Sequence, residues 1–511
     1  MERRLHGVKR FANKRPPAVP AARLHGTGPS TPPRSGHGPW FWVIAAAFAV
    51  AWRVSLILLR GGALYPGDHD DFARWGIQAT DRGVLTLYSE APARHNWRGW
   101  NGQQWVIGQR QFDRICNYPP LAAYLVSLSG LVFRAVSPDR LINTATSLLV
   151  FSSWSIAGDI LLAAGCAAIV ALFRGRWAVR LTYLLALFLP PFWWDSVVWT
   201  QMDAVLLAPA VWMLYFVLRQ RWLLAGVLWG LAFSLKPQAI LFVPLWGYAL
   251  FATRPFWQPL LGGLVAGATL LVTALPFMLH SGWAWFDLSY YQNLFSTYTN
   301  FTTLKAFDIW YLDLLISDSL DAKATWLGLT KSLWGKIFLL LGLLSGFVFA
   351  LWRWRRDRRG LILWATVSVL LFVMLPTEVH ERYIVLVLPF LGVLAALTWR
   401  AAPALLALTV VAMLQMTWPL WLDTKPGTWT DIKGIVTQRY NQARAENRAP
   451  VQVTLEETLA ANRSAYLRGR SQTAPFEWLL TILALSSTVS VVALFVRMRP
   501  QTAPPRSPPA S

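Results

Sequence analysis

Long apolar runs separated by short polar or basic turns dominate this chain between residues 39 and 496. A helix needs about 20 mostly apolar residues to cross a bilayer. The pattern predicts spans at roughly 39–59, 144–173, 178–194, 200–218, 222–236, 238–253, 259–280, 335–352, 361–375, 384–399, 403–421 and 476–496. The fold class is therefore all-α, a polytopic membrane protein with about 12 transmembrane helices. Polar stretches at 60–143, 281–334 and 422–475 interrupt the regularity as loops, inside a membrane domain covering 39–498. The tails, 1–38 and 499–511, carry Pro and Arg or Ser with little to pack, and read as disordered.

Charge orients the spans. The first tail has eight Lys/Arg against the single acid Glu2, which places it in the cytoplasm and the next loop outside. The apolar segment after Tyr118 is assigned to the outer interface, because a crossing there would put the Arg174–Arg180 turn outside. With that choice the basic turns at Arg219–Arg221, Arg254, Arg353–Arg359, Arg400 and Arg497–Arg499 all fall inside, as do both termini. The first span lacks a small-residue cleavage site and is expected to be retained.

Composition excludes a soluble multidomain protein, since 55% of the 511 residues are hydrophobic and 14% charged. The net charge of +22 does not point to nucleic acid, because the arginines lie in tails and short turns. Cys116 and Cys166 have no metal or redox spacing and are expected to be packing residues. The sequons Asn300-Phe-Thr302 and Asn462-Arg-Ser464 are weak patterns in a chain of bacterial appearance.

The sharpest chemistry follows the first span, in Tyr65-Pro-Gly-Asp-His-Asp-Asp-Phe-Ala-Arg-Trp75. Asp68, Asp70 and Asp71 repel one another unless a proton, a cation or a donor lies between them, which suggests acid/base or ligand chemistry; the plain alternative is a solvated loop. Under the expected topology, Tyr118-Pro-Pro, Trp199-Thr-Gln-Met-Asp203, Lys236-Pro-Gln238 and His380-Glu-Arg-Tyr383 also reach the outer ends of spans. Each has a simpler reading: a proline helix start, an aromatic belt with Gln201 and Asp203 solvated, a snorkelling lysine, and a Glu381–Arg382 loop bridge. A histidine and an arginine in a short outer loop suit an anionic phosphate.

Together these pieces resemble the polyprenyl-phosphate-sugar-dependent glycosyltransferases of the GT-C superfamily, in particular dolichyl-phosphate-glucose glucosyltransferases and bacterial mannosyltransferase-like relatives. Gly67-Asp68 with Trp75, Tyr118-Pro-Pro-Leu-Ala-Ala-Tyr124, Trp199–Asp203, Lys236-Pro-Gln238, Ala306-Phe-Asp-Ile-Trp310 and His380-Glu-Arg match family elements in order. Thr200 stands where the bacterial pattern has Gly, Asp308 stands where it has Asn, and little beyond residue 400 matches. The resemblance implies juxtamembrane helices in the first outer loop and inverting transfer of a hexose, mannose or glucose, to an acceptor hydroxyl. It implies Asp68 as general base, with Asp70 or Asp71 as substitutes, and His380, Arg382 and Lys236 on the donor phosphate. Tyr118, Gln201, Asp203, Trp75 and Trp310 would contact sugar or acceptor.

No cofactor is implied, and a divalent metal among Asp68, His69, Asp70 and Asp71 is not expected. Partners would be the lipid donor, a glycan, lipid-linked glycan or protein acceptor, and the bilayer of a plasma (inner) membrane, with no nucleic acid. The competing class is a transporter or flippase, which would need ionisable residues at mid-membrane; Asp159 is the main one.

Overall fold

Prolines and buried polar residues cut this chain's apolar runs into helices of very unequal length. The computed structural model describes residues 39–62, 66–100, 105–110, 114–295, 301–317, 319, 321–355, 357–422 and 455–500. Both tails, Asn300 and most of the 422–475 stretch lie outside the described residues or have undescribed side chains. By internal contacts the chain divides after Ile44. Residues 39–44 are the opening of the first helix, and the account below concerns Ala45 onward.

The helices are α1 (Trp40–Arg60), α2 (Pro66–Arg82), α3 (Pro120–Val136), α4 (Ala145–Ala171), α5 (Arg176–Phe188), α6 (Asp203–Leu218), α7 (Trp222–Leu235), α8 (Val243–Ala252), α9 (Trp257–Ser281), α10 (Ile309–Ser317), α11 (Lys331–Trp354), α12 (Arg359–Met374), α13 (Leu388–Leu397), α14 (Ala402–Leu422) and α15 (Leu455–Arg497). All twelve stretches expected to span are helical. Seven candidate spans among the described residues have the length and hydropathy of a crossing, and six apolar helical stretches of 10–17 residues accompany them, Pro120–Val136 included. The Asp68 stretch, for which a solvated loop was the plain alternative, is helix α2.

The short helices end where proline forbids continuation. The residue before proline is pushed out of the helical region, and Lys236, before Pro237, is accordingly extended at φ −157°, ψ 137°. Leu189, before Pro190, has ψ 121° and ends α5. Two small antiparallel hairpins supplement the helices. Strands β1 (His95–Trp100) and β2 (Trp105–Arg110) pair His95 with Arg110. Strands β3 (Thr325–Trp326) and β4 (Leu329–Thr330) turn through Leu327 and Gly328, both at positive φ, as a tight hairpin turn requires.

Helix α4 is buried along its length and packs against α5, α6 and α13. Its start is fixed by a reciprocal cap: Thr144 Oγ1 accepts from Ser147 N at 3.2 Å, and Ser147 Oγ accepts from Thr144 N at 2.9 Å. Within it, Asp159 is not available to a passing solute. Arg53 of α1 donates Nε to its Oδ2 at 2.8 Å and Nη2 to the Leu187 carbonyl at 2.9 Å, all out of contact with solvent. Removing one partner of such a buried pair costs about 3–5 kcal/mol, which makes this a structural tie. Helices α9 and α11 present exposed Leu264, Val272, Leu279, Leu340 and Val348, the surface expected against lipid tails.

One crossing brings the first loop to the rest of the site. Helices α2 and α3 meet at Gly76 and Gly130, where a Cβ on Gly130 would overlap the Gly76 carbonyl and one on Gly76 would lie 2.9 Å from the Val126 carbonyl. Backbone contact at this point sets the start of α2, with Asp68, close to the start of α3, with Tyr118. Asp81 at the end of α2 is held by Arg140 at 2.6 and 2.7 Å, closing the far end of the pair.

Candidate active site

Asp68, Tyr118, Lys236, His380 and Arg382 line a single recess enclosing about 460 Å³ of empty space, open solvent at its mouth included. They come from four separate segments. Asp68 sits in the first turn of α2, where a carboxylate is favoured by the helix dipole. Tyr118 precedes Pro119-Pro120, which start α3 because proline has no donor to lose there. Lys236 is placed by the proline break after α7. His380 and Arg382 lie in the turn between α12 and α13, beyond Pro376 and Glu378, which has φ 71°.

That turn is laced to the extended 302–304 segment. Leu304 N donates to Val379 O at 2.9 Å, Glu381 N to Leu304 O at 3.0 Å and Glu378 N to Thr302 O at 3.1 Å. Helix α14 closes the arrangement from behind. Its buried Gln415 accepts from Phe307 N at 3.2 Å and donates to the Glu381 carbonyl, and its Met416 carbonyl accepts from Trp199 Nε1 at 3.1 Å.

A layer of charge lies beneath the recess. Asp203 Oδ1 accepts from Lys236 Nζ at 2.5 Å, and its Oδ2 lies 3.7 Å from Arg382 Nε. Arg382 Nη1 also donates to Glu381 Oε1 at 3.3 Å. Asp203 thus aims two cations without itself lining the recess. Gln201 donates its side-chain amide to Asp68, while its own backbone N–H is held by the Asp195 carbonyl at 3.0 Å and its carbonyl accepts from Ser155 Oγ at 2.5 Å.

The carboxyl of Asp68 feels burial, which pushes its pKa up, but Arg382, Arg114, the Gln201 hydrogen bond and Lys236 outweigh that and hold it below the usual carboxylate range. Burial likewise works against the charge on Arg382, and Asp68 and Glu381 overcome it, so the guanidinium stays protonated. Burial and the neighbouring Arg382 lower His380, with Glu381 only partly offsetting them. His380 therefore offers a neutral imidazole, and the fixed positive charge comes from Arg382 and Lys236, where the sequence suggested that histidine would share it. Burial also opposes the charge on Glu381, yet His380 and Arg382 bring its pKa down to about 2.

The other carboxylates of the first motif do not line the recess. Successive residues on a helix are about 100° apart, so His69 and Asp70 point away from Asp68, while Asp71, three residues on, shares its side of α2 and adds to its negative field. Asp71 is clamped by Arg74 Nη2 and Arg114 Nη1, each at 2.9 Å, and burial raises its pKa despite them. Asp70 is buried away from the recess. His69 is fully buried and meets Ser147 Oγ at 3.0 Å. Among the described residues no group of three or more His, Cys, Asp or Glu is arranged to hold a metal ion.

Trp75 and Trp310 do not line the recess. Trp75 is buried against Tyr118 at 5.9 Å between ring centroids and donates to Arg114 O at 3.2 Å; Trp310 donates to Leu375 O at 2.8 Å and stacks on Phe338. Both support the site from outside it. Sequence reasoning missed Arg114, Asn117 and Asn293, which also line the recess, and Asp195 and Gln415 beneath it. Only Asn117 carried a usable signal, as the polar neighbour of the Tyr-Pro-Pro element.

Both departures from the family pattern have local explanations. Thr200, where the pattern has Gly, adopts φ 55°, the left-handed region that glycine enters freely and a β-branched residue resists. Asp308, where it has Asn, caps α10, its Oδ1 accepting from Trp310 N at 2.9 Å and Tyr311 N at 2.8 Å. Asn caps helices as well as Asp does, and burial pushes the Asp308 pKa well up, so the carboxyl is held in the neutral form that an amide imitates.

No curated protein sequence matches. Among solved structures the chain is similar to that titled the crystal structure of ArnT from Cupriavidus metallidurans in the apo state, at 14% identity and a TM-score of 0.44, over 89% of this chain and 77% of that one. The family model described as glycosyltransferase family 87 matches residues 117–376, the stretch from the start of α3 to the end of α12 that supplies Tyr118, Gln201, Asp203, Lys236 and Trp310. Since that match covers just over half of the chain, the chain belongs to glycosyltransferase family 87, a family of the GT-C type.

Proposed function

We propose that this glycosyltransferase moves a sugar from a polyprenyl-phosphate donor to an acceptor hydroxyl, with inversion, in the recess between Asp68 and the Lys236–Arg382 pair. The observation that carries the reading is that a carboxylate held ionised and two cations sharing one buried counter-ion line the same small space.

The donor phosphate would rest on Arg382 and Lys236, with His380 supplying a neutral hydrogen bond. The acceptor oxygen attacks the anomeric carbon as the bond from that carbon to the phosphate oxygen breaks. The electron pair leaves with the polyprenyl phosphate, the acceptor proton goes to Asp68, and the anomeric configuration inverts. A positioned base supplies about 10²–10⁴-fold of rate, and the cations stabilise the negative charge that grows on the departing phosphate. The family resemblance alone supports a hexose, with mannose or glucose first. The charge pattern of the turns supports termini in the cytoplasm and a recess facing the periplasm or exterior of the plasma membrane.

Transfer of radiolabelled sugar from a panel of polyprenyl-phosphate hexoses and pentoses to membrane-extract acceptors tests the reading, with Asp68→Asn as control. Transfer by the wild type and a loss of at least about 100-fold in the variant support it. No transfer from any donor, with labelled lipid instead crossing a proteoliposome bilayer, would replace the enzyme with a flippase.

A further inference from the structure

The wall of the recess nearest the start of α3 carries no fixed charge of its own at Asn117 and Asn293, and its hydrogen-bonding pattern can be worked out from the network. Asn293 Nδ2 donates to three carbonyls, Asn117 O at 2.6 Å, Ser289 O at 3.1 Å and Leu288 O at 3.4 Å. Three acceptors around one atom fix it as the nitrogen, so Asn293 Oδ1 points the other way. There it meets Asn117 Nδ2 at 3.2 Å, and two oxygens could not share that contact. The Asn117 amide is therefore fixed in turn, with its nitrogen on Asn293.

This leaves Asn117 Oδ1, which is buried and has no hydrogen-bond partner among the described residues. Buried carbonyl oxygens without a partner are uncommon, and one in a residue that lines a substrate recess points to a ligand. The oxygen can only accept. The neighbouring carbonyl of Tyr118 is already taken by the Tyr88 hydroxyl at 2.5 Å and Ser289 Oγ at 2.9 Å, so the backbone there adds no competing acceptor.

We infer that Asn117 is a specificity-determining residue, whose Oδ1 accepts a hydrogen bond from a hydroxyl of the transferred sugar, oriented by Asn293. The inference rests on the proposed transfer reaction and adds to it the part of the recess that reads the sugar, as distinct from the cations that read the phosphate. Sites that hydrogen-bond a substrate hydroxyl discriminate strongly against analogues that misplace it, because the buried polar group is then left unpaired. Asn117 should therefore govern the choice between epimers and leave the lipid phosphate unaffected.

The test compares full-length wild type, Asn117→Leu and Asn117→Asp in detergent, with decaprenyl-phosphate mannose, glucose, galactose and arabinose as donors and decaprenyl phosphate as inhibitor. Asn117→Leu should lose about tenfold or more in kcat/KM for the preferred donor, and its preference over the next donor should flatten to within about threefold. Inhibition by decaprenyl phosphate should stay within about twofold of wild type. Asn117→Asp keeps an acceptor oxygen and loses the donor to Asn293, so it should retain more selectivity than the leucine variant.

If all donors fall equally in Asn117→Leu, or if decaprenyl phosphate inhibition weakens in parallel, the residue is structural and the inference fails. The same conclusion follows if Asn117→Leu does not fold and Asn117→Asp shows the flattened preference. Absence of transfer by the wild type would instead overturn the reaction on which the inference rests.

Discussion

The side-chain amide of Gln201, itself buried, donates to Oδ2 of Asp68 across 133 positions of sequence. The bond joins the turn before α6 to the first turn of α2. It fixes which carboxylate oxygen of Asp68 is occupied and, in the proposed mechanism, leaves the other for the acceptor proton. Burial raises the Asp68 pKa, and Gln201 helps lower it, behind the charges of Arg382 and Arg114.

Gln201→Leu should therefore reduce kcat by about 10–100-fold, as expected for loosening a general base. It should also shift the acid limb of the rate profile upward. In the wild type Asp68 titrates below the ordinary carboxylate range, so activity persists at mildly acidic pH. Without the amide its pKa rises and activity falls off at a higher pH. A pH–kcat/KM profile that keeps its acid limb in the variant would separate Gln201 from Asp68.

Gly130→Ala should force α2 and α3 apart, since the new methyl would overlap the Gly76 carbonyl and backbone cannot move aside cheaply. Overpacking of this kind costs about 1–3 kcal/mol. Asp68 would shift relative to Tyr118, so activity should fall by more than the loss in thermal stability accounts for. Equal activity per folded molecule would show that the crossing does not set the site.

Thr200→Gly should be neutral or stabilising. A non-glycine residue held at positive φ costs about 1–3 kcal/mol, set against the 0.5–1 kcal/mol, roughly, that glycine loses in chain entropy and the local Thr200 Oγ1 bond to Trp199 O at 2.7 Å. Thermal unfolding in detergent measures the sign. A clear fall in melting temperature would mean that the threonine hydroxyl outweighs the strain.

Asp308→Asn should retain stability and activity, because both residues offer the capping oxygen to Trp310 N and Tyr311 N. Asp308→Leu should lose about 1 kcal/mol or more through the missing cap. A damaging asparagine substitution would point to a use for the carboxyl proton.

Acid should destabilise the fold through His69 before it reaches the carboxylates. Burial, with Arg60 nearby, brings the His69 pKa down to about 3, against the ordinary 6.5. The unfolded chain takes up a proton below pH 6.5 that the folded chain refuses, so stability falls as pH drops from 6.5 toward 3, by about 1.4 kcal/mol per unit. Glu381 adds its own loss only below the ordinary glutamate range, as pH falls toward about 2. His69→Gln, which keeps a donor for Ser147, should make the fall in melting temperature between pH 6.5 and 5 shallower, the rest being carried by His380 and His95, which burial also lowers; an unchanged slope would assign the loss to those two.

The helices were legible because a membrane span writes itself as a long apolar run, and every expected stretch is helical. Crossing was harder to read than helicity, since Pro237, Pro376 and Pro389 shorten helices that composition alone extends. Asp68, Tyr118, Lys236, His380 and Arg382 were legible because charged groups at the ends of apolar runs need a reason. Trp75 and Trp310 were placed too close to the chemistry, because an indole packs a wall as readily as it stacks on a sugar. Arg114, Asn293 and Gln415 left no mark in the sequence. Each acts through one long-range contact that neither periodicity nor charge encodes.

Gln415 also bears on where this chain can be cut. The family match stops at residue 376, and a protein engineer seeking a minimal catalytic core would be tempted to trim soon after the His380 turn. Helix α14 forbids that economy. Through Gln415 and Met416 it ties the 306–310 segment, the Glu381 turn and the Trp199 turn to one another. A chain shortened ahead of α14 should keep most of its motifs in sequence while losing their registration in space. Grafting between relatives should therefore exchange α14 together with the loops it anchors, as a single cassette.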